Sequence, residues 1–212
     1  MSARLLYAVT PDSLAADPAR LLDACAAALA GGARLLQYRD KRSAPDAKQR
    51  NAEALAALCR ARGARFIVND DALLAKAVAA DGVHLGKSDG ALEAARALLG
   101  PDALIGASCG SDLLRAEAAL ASGASYLAFG RFFASNTKPD APPANPSALT
   151  EARKRFTAPI CAIGGVTPDN GALLLSAGAD WLAAVDGLFG AGDAADIERR
   201  ARAYCALFEQ PR

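Results

Sequence analysis

The chain has 212 residues, 52% of them hydrophobic, and its 24 lysines and arginines nearly balance 23 acidic residues. This length suits one large domain, and a net charge of +1 gives no global field that would recruit nucleic acid or a membrane surface. No apolar run approaches the roughly 18 residues of a membrane span, and no signal-peptide pattern precedes Pro11. Five scattered cysteines, without a Cys-x-x-Cys pair, indicate reduced thiols in a cytoplasmic protein.

Short apolar runs alternate with helical patterns along the chain. The predicted strands are 5–9, 35–36, 66–68, 83–85, 103–107, 125–129, 160–163 and 181–185. The predicted helices are 18–29, 46–62, 72–78, 90–99, 111–121, 148–156, 169–176 and 193–208, with Asp17 and Ser111 as two of the N-caps.

The order of these elements decides the fold class. About eight strand–helix units predict an α/β protein with the (β/α)₈ TIM-barrel fold, and the runner-up is a doubly wound open sheet. No linker-like change of composition divides the chain, so we predict a single domain over residues 1–212. One long irregular segment, residues 130–146, contains four prolines and is predicted to be an active-site lid.

Active sites of such barrels lie at the carboxyl ends of the strands. The residues that follow each predicted strand are therefore the candidates for a site. In chain order they are Gln37, Arg39, Lys41, Asn69, Asp70, Lys87, Asp89, Ser108, Ser135, Thr137, Lys138, Gly164, Gly165, Asp186 and Gly187.

Two of these candidates are acids that follow neighbouring strands. Asp70 and Asp89 would reach the same face of a parallel sheet, where a pair of carboxylates suits Mg²⁺ with substrate phosphates completing its shell. The alternative is that Asp70 and Asp71 only cap the following helix.

The cations and glycines on this rim indicate phosphate binding. Gln37, Arg39 and Lys41 alternate along an extended segment and can face one ligand, although Arg39 and Lys41 could instead form solvated salt bridges on the rim. Gly164 and Gly165 follow the seventh strand, where barrels commonly bind phosphate through backbone N–H groups. His84, the single histidine, is interpreted first as a buried, hydrogen-bonded residue and second as a catalytic one.

These motifs, in this order, resemble the thiamine phosphate synthase family over nearly the whole chain. The matching segments are QYRDK at 37–41, NDD at 69–71, GVHLG at 82–86 with Asp89, GAS at 106–108, FG at 129–130, SNTK at 135–138 and AIGGV at 162–166. The resemblance implies a (β/α)₈ transferase that joins hydroxymethylpyrimidine diphosphate to a thiazole phosphate and releases diphosphate.

The resemblance also implies a role for each matching residue. Asp70 and Asp89 would hold Mg²⁺, and Arg39, Lys41, Ser108 and Lys138 would be catalytic. The pyrimidine diphosphate would bind at Gln37, Arg39, Lys41, Asn69, Ser108 and Lys138. The thiazole phosphate would bind at Ser135, Thr137, Gly165, Val185 and Asp186. The sequence departs from the family pattern at Ser135, Gly110 and Asp186, where threonine, histidine and serine are more usual.

Two other functions are alternatives to this one. A related thiazole tautomerase on the same barrel relies on a histidine near the position of Gly110, which this chain lacks. A non-catalytic barrel that binds a phosphorylated ligand is supported chiefly by the acid at Asp186. The expected partners are the two small-molecule substrates, with neither nucleic acid nor membrane, and the sequence leaves the oligomeric state open.

Overall fold

A computed structural model describes residues 4–86, 90–135, 142–190 and 192–209. Eight short parallel strands form the centre of the molecule. They are β1 Leu5–Val9, β2 Leu35–Tyr38, β3 Arg65–Asn69, β4 Gly82–Leu85, β5 Leu104–Gly110, β6 Tyr126–Phe129, β7 Ile160–Ile163 and β8 Trp181–Ala184.

Helices follow the strands and surround them. They are α1 Pro18–Ala30, α2 Pro45–Ala61, α3 Ala72–Ala77, α4 Gly90–Leu99, α5 Leu113–Ala121, α6 Ser147–Arg155, α7 Pro168–Ser176, α8 Asp186–Phe189 and α9 Ala194–Ala206. No helix among the described residues is long and apolar enough to cross a membrane.

The strands pair in sequence order and close into a barrel. Each strand is parallel to the next, and β8 returns to β1 with Trp181 opposite Leu5 and Ala184 opposite Ala8. Closure leaves no exposed sheet edge, and it brings all eight carboxyl ends to one face. The predicted single (β/α)₈ barrel is therefore confirmed, and the open sheet is wrong.

Alternate side chains of each strand point to two separate cores. In β1, Leu6 and Ala8 pack outward into the layer shared with the helices. Tyr7 and Val9 point into the barrel, where a smaller cluster includes Tyr126 and Trp181. The strands read as continuous apolar runs because both of their faces are buried.

The boundaries differ from the predicted ones at two informative places. Asp112, not Ser111, caps α5, since its carboxylate accepts from the N–H groups of Leu114 and Arg115. The four-residue helix α8 was not predicted at all. Asp17 caps α1 as expected, through a bond from the Arg20 N–H.

A buried ion pair joins α6 to the start of β8. Asp180, just before β8, is 1% exposed, and its Oδ2 lies 2.7 Å from Arg153 Nη1. The same oxygen accepts from the Ile160 N–H at 2.9 Å, and Arg153 also donates to the carbonyl of Ala158 at 2.9 Å. These bonds fix the amino end of the barrel, opposite the candidate site.

Replacing Arg153 by methionine is therefore expected to destabilise the fold. Removing one partner of a buried pair leaves an uncompensated charge; because Arg153 is partly exposed, we expect a loss of about 2 kcal/mol in the free energy of unfolding. Urea denaturation measures this, and Lys154→Met is the control, since Lys154 pairs with Glu151 on the surface. Equal stability of the two variants would contradict a structural role for the Arg153 pair.

Candidate active site

A cavity of about 580 Å³ opens at the carboxyl ends of the strands. It lies within the size range usual for small-molecule sites. The structure brings ten of the predicted site residues together in its lining. They are Gln37, Arg39, Lys41, Asn69, Asp70, Ser108, Ser135, Gly165, Val185 and Asp186.

The other predicted site residues with an assigned role, Asp89, Thr137 and Lys138, lie outside the described residues, as does the strand-end candidate Lys87. Part of the predicted lid, residues 136–141, lies outside them too. Its described ends contribute Arg131, Ser135 and Pro142 to the cavity wall.

Arg39 is held in place by residues that follow β1. Its Nη1 lies 2.8 Å from Asp12 Oδ2, and both side chains are largely buried, 11% and 21% exposed. The backbone N–H of Arg39 donates to Thr10 Oγ1 at 2.9 Å, and this hydroxyl donates back to the Arg39 carbonyl. Arg39 therefore presents its guanidinium from a fixed position, and its ion pair with Asp12 is largely buried rather than solvated.

Lys41 sits on a turn organised by two acids. Its N–H donates to Asp12 Oδ1 at 2.9 Å. Asp40 accepts from the N–H groups of Arg42 and Ser43 and from the Tyr38 hydroxyl. Burial acts to raise the pKa of Asp40, but these hydrogen bonds outweigh it and the pKa lies below its usual value. The carboxylate thus stays ionised and keeps the turn rigid.

Asp70 occupies the cavity mouth in an unusual backbone conformation. Its φ is +63°, a left-handed value that aspartate tolerates better than most residues, and its N–H donates to the His84 carbonyl. Its Oδ2 lies 3.4 Å from Lys41 Nζ, and both side chains are about half exposed. Asp71, not Asp70, caps α3 through the Leu74 N–H, so the capping alternative does not apply to Asp70.

The Asp70 carboxylate at the cavity mouth is an oxygen donor of the kind that a hard divalent cation takes. An exposed ion pair such as Lys41–Asp70 contributes little free energy, so a cation can replace it at small cost. No group of three or more His, Cys, Asp or Glu side chains among the described residues could hold a metal ion by itself. A site of one or two carboxylates completed by substrate phosphates matches the preference of Mg²⁺.

Gly164 and Gly165 allow two loops to touch. Both have positive φ values, +100° and +65°. A Cβ at Gly164 would overlap Arg131, and one at Gly165 would overlap the Ala134 carbonyl. The Phe133 N–H also donates to the Gly164 carbonyl at 3.0 Å. The glycine pair therefore seats the segment after β6 against the segment after β7, in addition to lining the cavity.

The short helix α8 begins at the rim of the cavity. Val185 is its N-cap, and Asp186 is its first residue. The first N–H groups of any helix have no partner within that helix. The Asp186 carboxylate makes neither a hydrogen bond nor an ion pair with another described residue.

The floor of the cavity is polar and hydrogen-bonded. His84 is 9% exposed, with Nε2 2.9 Å from Ser108 Oγ and Nδ1 3.0 Å from the Tyr126 hydroxyl. Gln37, 4% exposed, donates from Nε2 to the Tyr7 hydroxyl at 2.7 Å. The first interpretation of His84, a buried and hydrogen-bonded side chain, is correct, and its partner Ser108 faces the cavity.

The cysteines take no part in this chemistry. All five thiols are free, and burial raises the pKa of Cys109, the one nearest Ser108 in sequence, to about 12. A thiol with that pKa is protonated and inert at neutral pH.

Several residues of the site were missed by the sequence analysis. Thr10 and Asp12 follow the first strand, and they would have been found had the residues after that strand been included with the others. Tyr7 and Tyr126 lie inside apolar runs, where nothing distinguishes them from core residues. Arg131 adds a further cation to the cavity wall.

The closed barrel and its cation-lined cavity define a (β/α)₈ enzyme. Residues 6–188 match the model of a family described as thiamine monophosphate synthase. A thiamine-phosphate synthase from Saccharophagus degradans is 52% identical over 95% of this chain and 91% of its own length. One from Alcanivorax borkumensis is 50% identical over 98% and 95%. The chain belongs to the thiamine monophosphate synthase family, whose members are transferases.

A solved structure agrees with this assignment. Thiamine phosphate pyrophosphorylase from Pyrococcus furiosus superposes with a TM-score of 0.85 at 31% identity, covering 97% of this chain and 95% of that one. The resemblance noted from the motifs is thus confirmed, and neither the tautomerase nor the non-catalytic barrel is favoured.

Proposed function

We propose that the cavity joins hydroxymethylpyrimidine diphosphate to a thiazole phosphate and releases diphosphate. The C–O bond between the pyrimidine CH₂ and the diphosphate breaks, and its electron pair leaves with the diphosphate. The electron-rich aminopyrimidine stabilises the resulting carbocation, and the thiazole nitrogen then supplies the pair for the new C–N bond. The protein need supply no nucleophile; it must stabilise the leaving group, position two rings and exclude water.

One observation carries this proposal: ten residues predicted from separate motifs line a single cavity. The cavity holds cations, amides and hydroxyls, and its single cysteine, Cys161, is protonated because burial raises the pKa of its thiol. This composition suits charge stabilisation and positioning rather than covalent catalysis.

The residues divide between the two substrates. We assign Arg39, Lys41 and Lys138 to the departing diphosphate, and Gln37, Asn69 and Ser108 to the rest of the pyrimidine substrate. For the thiazole phosphate we assign Ser135, Thr137, Gly165, Val185 and Asp186. The small-molecule substrates and free thiols favour a cytoplasmic enzyme.

Asp70 and Asp89 would hold Mg²⁺. Bound there, the ion would supply positive charge to the diphosphate oxygens. Lys41, which already lies beside Asp70, would neutralise further charge on the same group.

The proposed function is tested by direct incubation. The purified protein, both phosphorylated substrates and Mg²⁺ should yield thiamine phosphate and diphosphate in equal amounts. Incubation with the thiazole phosphate alone tests the tautomerase alternative. Isomerisation of the thiazole without any thiamine phosphate in the complete mixture would overturn the proposal.

Replacing Asp186 by serine should have only a modest effect. We expect the backbone N–H groups at the start of α8 to face the phosphate, because an inward-pointing carboxylate would repel it. The KM for thiazole phosphate should change by less than about tenfold, or roughly 1.4 kcal/mol, with little change in its pH dependence. Steady-state kinetics at several pH values measure both. A much larger fall in KM would show that the acid opposes phosphate binding and would favour a different natural ligand.

The segment 130–146 is expected to close over the bound substrates. Its described ends already line the cavity, and Thr137 and Lys138 are assigned to the substrates from within it. Limited proteolysis in this segment should slow when product and diphosphate are present. Cleavage at an unchanged rate would indicate a static loop.

A further inference from the structure

Five side chains form a continuous hydrogen-bonded relay across the inside of the barrel. Gln37 Nε2 lies 2.7 Å from the Tyr7 hydroxyl, which lies 2.8 Å from the Tyr126 hydroxyl. Tyr126 reaches His84 Nδ1 at 3.0 Å, and His84 Nε2 reaches Ser108 Oγ at 2.9 Å. The relay begins on β2 and ends on β5, and both of its ends line the cavity.

Tyr126 is the buried link of this relay. It is fully buried and does not line the cavity, so it cannot contact a ligand there. Trp181 packs against its ring at a centroid distance of 4.9 Å. A side chain at Gly106 would overlap both Tyr126 and His84. Glycine at position 106 therefore leaves room for the hydrogen bond between Tyr126 and His84.

The relay can carry its protons in only two arrangements. Burial raises the pKa of Tyr7 and Tyr126 well above the ordinary value, so each hydroxyl keeps one proton. If Gln37 donates at its end, Tyr7 donates to Tyr126 and Tyr126 donates to His84 Nδ1. A neutral His84 then carries its proton on Nε2 and donates it to Ser108. Reversing any bond requires reversing all of them, including the amide of Gln37 and the tautomer of His84.

In this arrangement one end of the relay offers the cavity a hydrogen-bond acceptor and the other end offers it a donor. With Gln37 Nε2 donating inward, its Oε1 is left as an acceptor on the cavity side. Ser108 accepts from His84 and so has its own hydroxyl proton to donate. A ring that presents a donor to Gln37 and an acceptor to Ser108 suits this pair, and a 4-aminopyrimidine does so through its amino group and a ring nitrogen.

We propose that Tyr126 is a positioning residue that sets the tautomer of His84, so that Gln37 and Ser108 together select a 4-aminopyrimidine over a 4-oxopyrimidine. The inference rests on the proposed function, since it places the pyrimidine ring between Gln37 and Ser108. A 4-oxo ring carries an acceptor and an N–H where the amino ring carries a donor and a bare nitrogen. It would meet both ends of the relay with the wrong polarity. Sites built around such hydrogen bonds reject mismatched ligands strongly, because their buried polar groups are left unpaired.

The tautomer can be measured without any substrate. His84 is the only histidine in the chain, so ¹⁵N-histidine labelling of the full-length protein gives one assignable pair of ring signals. Above the pH at which the imidazole titrates, Nε2 should show a protonated, pyrrole-type shift and Nδ1 an unprotonated, pyridine-type shift. The opposite pattern would overturn the assignment.

The variant Tyr126→Phe tests the link itself. It removes the donor to His84 Nδ1, so the ring signals should move toward a mixture of both tautomers. The preference in kcat/KM for the 4-amino over the 4-oxo pyrimidine diphosphate should fall at least about tenfold. An unchanged tautomer or an unchanged preference would show that Tyr126 only fills space.

Two further variants separate positioning from a general loss of stability. Phe66→Leu disturbs a fully buried aromatic in the outer core layer and should change neither the tautomer nor the preference. Tyr7→Phe breaks the relay on the other side of Tyr126 and serves if Tyr126→Phe does not fold; it should reduce the preference as well. The tautomer of the unmodified protein is independent of turnover. If no thiamine phosphate forms, the proposed function fails. The ¹⁵N signals of His84 still show whether its tautomer is the one assigned here.

Discussion

Replacing Asp70 by asparagine is expected to lower kcat/KM at least about 100-fold, or roughly 2.7 kcal/mol. The change removes one negative charge from the proposed Mg²⁺ site at the cavity mouth. Asparagine suits the test because Asp70 has a φ of +63°, and asparagine adopts this left-handed conformation readily. An alanine there would add backbone strain to the loss of the ligand. Rates measured across a range of free Mg²⁺ should show a weaker apparent affinity for the ion.

The neighbouring acid provides a matched control. Asp71 caps α3 and is not in the lining of the catalytic cavity, and asparagine preserves a capping side chain. Asp71→Asn should therefore keep nearly the full rate and the original Mg²⁺ dependence. Full activity of Asp70→Asn in the presence of a chelator would rule out a metal at this position.

Replacing Arg39 by glutamine is expected to lower kcat by about 100-fold to 1,000-fold, the usual loss when a donor to a developing negative charge is removed. Negative charge grows on the diphosphate as its C–O bond breaks, so the guanidinium should stabilise the transition state more than bound substrate. The KM should consequently change less than kcat. Asp12→Asn should give a smaller loss in the same direction, because it loosens Arg39 without removing its charge.

Arg65 is the control for Arg39. It begins β3 at the opposite end of the barrel and forms a solvent-exposed pair with Asp81 at 3.6 Å. Arg65→Gln should leave kcat and KM close to those of the unchanged protein. A pure KM effect in Arg39→Gln would restrict Arg39 to ground-state binding. Lys138→Ala should likewise lower kcat more than it raises KM.

The site was predictable where its residues stand at strand ends. The closed parallel barrel forces the carboxyl ends of all strands to one face, so a correct fold class sufficed to group Gln37, Asn69 and Ser108. The helices were predictable because periodic apolar faces and caps such as Asp17 are local signals. The identity of the cap of α5 was missed, since Ser111 and Asp112 are both good N-cap residues and only the backbone decides between them.

What escaped prediction depends on contacts between distant segments. Tyr126 and His84 are 42 residues apart in sequence, and no periodicity reports their hydrogen bond. The helix α8 has four residues, too few to show a helical period. The turns at Gly164 and Gly165 were interpreted as a phosphate cradle, which overlooked the loop that packs on them.

That packing has a consequence for attempts to alter the enzyme's choice of substrate. A library that diversifies positions 164 and 165 would mainly push away the segment 131–134, since each new side chain overlaps it. In such variants, a changed substrate preference could come from displacement of the loop as well as from altered contacts with the substrate. Diversity placed at Ser135 and Asp186 would alter the cavity wall while keeping the two loops in register.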